Sequence, residues 1–134
     1  TGMTLEDEIR TLRKYYNDYD FFFLHVKKLD AAGEDGDFKR KVEALEEIDR
    51  FIPNIMKLKP DVIVVTGDHS TPSVLKGHSW HPVPTVLYSQ YCLYDDVTEF
   101  SERACLRGGL GIFPATQIMP LAMANAIKLN KYGA

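Results

Sequence analysis

The sequence predicts an α/β fold with a mostly parallel sheet, from two apolar runs and the helical pattern between them. Asp61 to Thr66 carries Val62-Ile63-Val64-Val65, four β-branched residues that stop at Thr66-Gly67. Such a run between turn formers reads as a strand covered on both faces. Phe21-Phe22-Phe23-Leu24-His25-Val26 is a second run, aromatic and too short for a helix, and apt for a central strand. Strand, helix and strand in that order make a βαβ unit with a right-handed crossover.

The remaining elements follow along the chain. Thr4 precedes Leu5-Glu6-Asp7 as a helix cap with acids in the first turn, which suits the helix dipole. Leu5, Ile9, Leu12 and Tyr16 recur at helical spacing, so residues 4 to 16 read as an amphipathic helix. Asn17 to Asp20 is a turn cluster. Residues 27 to 37 read as an acid-rich loop punctuated by Gly33 and Gly36. A long helix starts near Asp37, with Phe38, Val42, Leu45, Ile48 or Asp49, and Ile52 marking its buried side. Pro53 is expected to kink or end it, and Lys59-Pro60 closes the segment. Pro84 to Tyr88 reads as a further strand, residues 89 to 112 as irregular, and residues 115 to 130 as a closing helix with Pro120 near its start.

Composition narrows the class of protein. A chain of 134 residues fits one domain with a single core. Apolar residues make up 45% and charged residues 26%, ordinary for a soluble protein. A net charge of −3 and a pI near 5.8 leave no basic footprint for nucleic acid. No apolar run approaches membrane-spanning length, and the first residues do not resemble a signal peptide. Cys92 and Cys105 have no CxxC spacing and read as reduced thiols, so a cytoplasmic location is expected. Thr1-Gly2-Met3-Thr4 runs straight into a helix, as though cut from a longer protein.

Three clusters could carry chemistry. The first is Asp30, Glu34, Asp35 and Asp37. Four acids in eight residues repel one another unless solvated or neutralised by a cation, and Asp37 alone can serve as a helix cap. The second is Asp68-His69, at the C-terminal edge of a strand, where open α/β sheets place their ligands. The third is His78-Ser79-Trp80-His81-Pro82-Val83-Pro84, with two histidines before a rigid Pro-x-Pro. Imidazole and carboxylate together suit Zn²⁺ and Mn²⁺. Taken singly, an Asp-His dipeptide is more often a turn cap beside a packed histidine. Trp80 reads as a packing residue or a lid, and His25 as a satisfied core histidine. Ser70, Thr71 and Ser73 read as capping hydroxyls. Arg103, Arg107 and Gly108-Gly109-Leu110-Gly111 read as a tight surface turn rather than an anion site.

The clusters, in this order, resemble the C-terminal part of a cofactor-independent phosphoglycerate mutase of the archaeal type, within the alkaline phosphatase superfamily. The segments that carry the resemblance are Phe22 to Asp37, Thr66-Gly67-Asp68-His69-Ser70-Thr71-Pro72, His78 to Pro84, and Phe113 to Ala134. The resemblance implies a three-layer α/β sandwich, with residues 1–17 as a connecting helix from a substrate domain and 18–134 as the C-terminal portion of an alkaline-phosphatase-like domain. It also implies interconversion of 3-phosphoglycerate and 2-phosphoglycerate through a phosphoserine, at two divalent metals (Mn, Mg, Zn or Co) and without 2,3-bisphosphoglycerate.

Carried over by motif, Asp30 and His78 resemble ligands of one metal, and Asp68 and His69 ligands of the other. Glu34 stands where many relatives have a histidine, in an Asp-x-x-Gly-His pattern; a carboxylate there favours a harder cation. The role of His81 stays open. The family's nucleophilic serine and its companion aspartate have no match here, so the chain corresponds to about the last third of the enzyme and is expected to be inactive alone. The alternatives are another phosphomutase or phosphatase of the superfamily, or a structural metal-binding module. Neither a nucleic acid nor a membrane partner is expected, and self-association is, because an unpaired central strand seeks a partner.

Overall fold

A computed structural model describes residues 4–130. Thr1-Gly2-Met3 and the closing Lys131-Tyr132-Gly133-Ala134, which entered the readings of the two ends, lie outside the described residues. The chain divides into two units. The first runs to Lys59 and includes Thr71–Ser79; the second comprises Pro60–Ser70 and the chain from Trp80 onward.

Three helices build the first unit: α1 (Leu5–Tyr15), α2 (Lys28–Glu34) and α3 (Phe38–Met56). Thr4 closes α1 with a capping box, its hydroxyl accepting from Asp7 N while the Asp7 carboxylate accepts from Thr4 N. Leu5, Ile9 and Leu12 are buried, as their spacing predicted. Tyr16 stacks on Phe22, with ring centroids 5.7 Å apart.

The acid-rich segment is a helix and not a loop. Gly33 lies inside α2, and Gly36 ends it at φ +75°. Asp37 N donates to Ala32 O and Gly36 N to Gly33 O, the paired bonds that a left-handed residue just past a helix end makes. Asp37 then caps α3 by accepting from Arg40 N at 2.9 Å. The helix runs past Pro53 and stops at Met56, within one turn.

The buried side of α3 is the expected one only in part: Ile48 and Ile52 are half-buried. Ala44 is buried, whereas Phe38 is 71% exposed and Leu45 and Val42 are also exposed. Helix α2 packs on α3. The larger residues at 38, 42 and 45 are left uncovered.

Residues 21–26 also depart from expectation: they form no strand among the described residues. Their burial nonetheless alternates, with Phe22, Leu24 and Val26 half-buried and Phe21, Phe23 and His25 exposed. That period of two is the signature of an extended strand. His25 is exposed among the described residues and stacks on Phe23.

The second unit holds β1 (Val62–Val65), β2 (Val86–Ser89), the short helix α4 (Glu102–Cys105) and α5 (Ile118–Asn125). The sheet is antiparallel, with Val62 opposite Ser89 and Val65 opposite Val86. The parallel pairing expected from the βαβ order is absent among the described residues. The βαβ order places that pairing between residues 21–26 and β1, and residues 21–26 form no strand among the described residues; β1 and β2, with no helix between them, pair antiparallel.

Helix α5 packs on β1. It follows a 3₁₀ turn at Ala115–Gln117 and ends with Ile127 at φ +55°. Pro120 sits in its first turn, where no backbone donor is needed. The capped helix α4 falls within the segment read as irregular. Ser89 is fully buried, bonding Asn125 Oδ1 at 2.8 Å and accepting from Tyr91 N. No helix among the described residues is long and apolar enough to cross a membrane.

Candidate metal centre

In the first unit, α2 presents Asp30 and Glu34 one turn apart, so both carboxylates leave the same helix face. Thr71–Ser79 belongs to that unit and brings His78 to them. His78 Nε2 lies 3.6 Å from Asp30 Oδ1 and 3.8 Å from Glu34 Oε1. Neither separation is a hydrogen bond. Two donors that bond one ion at about 2.1 Å with tetrahedral angles stand about 3.4 Å apart, so the spacing of His78 from Asp30 fits a mixed N/O pair of donors to a divalent ion. The Asp30 side chain is 22% exposed, while those of Glu34 and His78 are open to solvent.

The other acids of the cluster have different duties. Asp35 pairs with Arg40 at 2.7 Å, and Asp37 is the α3 cap. Of the four acids in the run, Asp30 and Glu34 are the two that stand within 4 Å of His78, so helix formation separates them from the two engaged by Arg40 and the α3 cap.

Asp30 is also held from behind. Thr71 Oγ1 donates to Asp30 Oδ1 at 2.7 Å, and Thr71 is buried. Lys41 Nζ donates to the Thr71 carbonyl. A Cβ on Gly33 would stand 2.3 Å from that same carbonyl oxygen, so glycine is what allows the segment to approach α2. Thr71 was read as a capping hydroxyl, and its bond to a carboxylate 41 residues away corrects that. No local pattern marked Lys41 at all.

In the second unit, β1 delivers Asp68 and His69 just past its end. Asp68 Oδ1 accepts from His69 N at 3.1 Å, and Asp68 Oδ2 stands 3.4 Å from His69 Nε2. Ser70 Oγ donates to the His81 carbonyl, tying the pair's loop to the entry of the Pro-x-Pro segment. Trp80 stacks on His81 with centroids 4.8 Å apart and is 86% exposed in this chain. Thr66 and Thr85 share a hydroxyl hydrogen bond of 2.8 Å across the end of the sheet.

The glycine-rich turn proves to be occupied by the protein's own carboxylate. Gly109 N donates to Asp95 Oδ2 at 2.7 Å and Val97 N to Oδ1 at 3.0 Å. The Gly109 bond, then that from Val97, hold the Asp95 carboxyl below its usual value of 3.8.

The acids of α2 that face His78, and the Asp-His pair beyond the end of β1, are donor types that metal-dependent proteins use. The chain belongs to the metalloenzyme superfamily, whose family model matches residues 1–125. It is 55% identical, over 99% of its own length, to a protein of Aquifex aeolicus named a probable 2,3-bisphosphoglycerate-independent phosphoglycerate mutase. Proteins with the same name from Thermotoga maritima and Deinococcus radiodurans are 54% and 52% identical. The match covers 33%, 33% and 32% of these relatives, so the chain spans about a third of their length. A solved protein structure from Pyrococcus horikoshii superposes with a TM-score of 0.88 at 39% identity, covering 94% of this chain and 39% of that one.

Proposed function

We propose that this chain is part of a 2,3-bisphosphoglycerate-independent phosphoglycerate mutase that interconverts 3-phosphoglycerate and 2-phosphoglycerate through a phosphoserine at a two-metal site. The observation that carries the reading is the convergence of Asp30, Glu34 and His78, in a chain half identical to proteins of that name. Asp30 and His78, with Glu34, would hold one divalent ion (Mn, Mg, Zn or Co), and Asp68 with His69 would ligate the other. When bound, such ions stabilise negative charge on a transferring phosphoryl group and lower the pKa of a nearby hydroxyl.

The chain's own contribution is charge and placement. Three carboxylates offset much of the charge of two dications, and the two imidazoles add borderline-soft donors. Asp68 is oriented by the His69 backbone amide, and Asp30 by the Thr71 hydroxyl.

The nucleophilic serine would come from the remaining two thirds of the protein. In that whole, residues 1–17 would connect to a substrate domain and 18–134 would complete an alkaline-phosphatase-like domain. The alternating burial of residues 21–26 and the exposure of Tyr19, Phe21 and Phe23 support this reading. We take the segment as a strand of a mostly parallel, three-layer sheet whose neighbours lie in the rest of the protein.

The test is conversion of 3-phosphoglycerate by the whole protein. Activity should vanish in EDTA, return with Mn²⁺ without added 2,3-bisphosphoglycerate, and fall at least about a hundredfold in Asp68→Ala, since loss of a ligand removes charge stabilisation made in the transition state. The 134 residues alone should show no turnover. Full activity in EDTA would refute the metal reading, and metal-dependent turnover by these residues alone would refute the division of labour.

A further inference from the structure

We propose that Thr71 is a positioning residue of the metal centre, its hydroxyl holding the Asp30 carboxylate in the orientation that meets His78. The inference rests on the reading of Asp30 as a metal ligand. Thr71 is 4% exposed, and its Oγ1 stands 2.7 Å from Asp30 Oδ1. A hydroxyl carries a single proton, and at that separation the proton goes to the carboxylate, as a charge-assisted bond. The same carboxylate oxygen, Asp30 Oδ1, stands 3.6 Å from His78 Nε2.

Three features keep the hydroxyl in place. The β-branched side chain of threonine is stiff about χ1. Lys41, on α3, donates to the Thr71 carbonyl, and Gly33, on α2, lets that carbonyl reach the helix surface. Pro72 follows, and its carbonyl accepts from Leu75 N at 3.0 Å and Lys76 N at 3.1 Å. The turn so formed begins the segment that ends at His78. One residue thus couples the placement of two donors on different parts of the chain: Asp30 through its side chain, and His78 through the backbone that Thr71 anchors.

Partners that orient a metal ligand change metal affinity about 10- to 100-fold when removed. Isothermal titration of the metal-stripped whole protein with Mn²⁺ measures this without reference to activity. Thr71→Val keeps the shape and deletes the hydroxyl, and should weaken Mn²⁺ binding about tenfold or more. Thr71→Ser restores the donor and should bind within about threefold of the native protein, since hydroxyl donation is retained. If Thr71→Val does not fold, as judged by circular dichroism, Lys41→Met replaces it, and it should weaken binding severalfold by releasing the Thr71 carbonyl.

Asp30→Ala separates the two layers of the argument. If it leaves Mn²⁺ affinity unchanged, the ligand reading of Asp30 itself fails. If it abolishes tight binding while folded Thr71→Val, or its replacement Lys41→Met, binds like the native protein, the positioning role is wrong and the ligand reading stands. Equal weakening in Thr71→Val and Thr71→Ser would also overturn the proposal, because it would trace the effect to packing rather than to the hydroxyl.

Discussion

Replacing Gly33 by alanine sets two effects of opposite sign against each other. In a helix, alanine is favoured over glycine by at most about 1 kcal/mol. At this position the new Cβ would lie 2.3 Å from the Thr71 carbonyl oxygen and 2.9 Å from its Cγ2. Ordinary contact begins near 3.4 Å, so backbone must give by about 1 Å, and forced overpacking of that kind costs about 1–3 kcal/mol. The clash outweighs the gain over nearly all of that range, for a net loss of up to about 2 kcal/mol. Because the displaced atoms belong to the segment carrying Thr71 and His78, Mn²⁺ affinity should fall about tenfold as well. Urea unfolding should show a lower midpoint with an unchanged slope. Gly77→Ala is the control: beside His78 in sequence, its Cβ would meet only the Leu75 carbonyl oxygen, at 3.9 Å, and its effect should stay within about 0.5 kcal/mol. A Gly33→Ala protein as stable as the native one, with undiminished Mn²⁺ binding, would refute the packing argument.

Two further outcomes test parts of the fold away from the centre. Thr4→Ala removes the hydroxyl of the α1 capping box and should cost about 1 kcal/mol, visible as a lower melting temperature; an unchanged one would mean that α1 is held by packing alone. The Asp95 carboxyl is depressed by its bonds from Gly109 and Val97, so it contributes stability that is present above its unfolded value of 3.8. That contribution is lost as pH falls through the still lower folded value. Amide exchange at Gly109, followed by NMR, should therefore be protected at neutral pH and lose that protection in Asp95→Ala. Equal protection in the variant would show that the clasp does not order the turn.

The local elements were legible because their signals act within a few residues. Thr4 and Asp37 cap the helices they precede; Ser101 does the same for α4, inside a segment that reads as irregular. The β-branched run at Val62–Val65 is a strand within a residue of its expected bounds. The acidic segment was misread because Gly33 and Gly36 look alike as letters. One ends a helix in a left-handed conformation, and the other sits inside it because a carbonyl from Thr71 occupies the space of its missing side chain. The exposed stripe at Phe38, Val42 and Leu45 was misread for a related reason: periodicity reports that a helix is amphipathic, but a neighbour decides which face it covers.

By itself, the sequence determined the kinds of donor this protein carries, Asp30, Glu34, Asp68, His69 and His78, and the local elements that hold most of them. Only the tertiary structure decided that Asp30 and Glu34 share a helix face with His78 opposite, that β1 and β2 run antiparallel, and that Thr71 bonds Asp30 across 41 residues. Caps and periodicity are settled by neighbours within about one helical turn. Contacts between distant residues depend on which surfaces can approach, and in this chain that turned on the hydrogen atom that Gly33 has in place of a side chain.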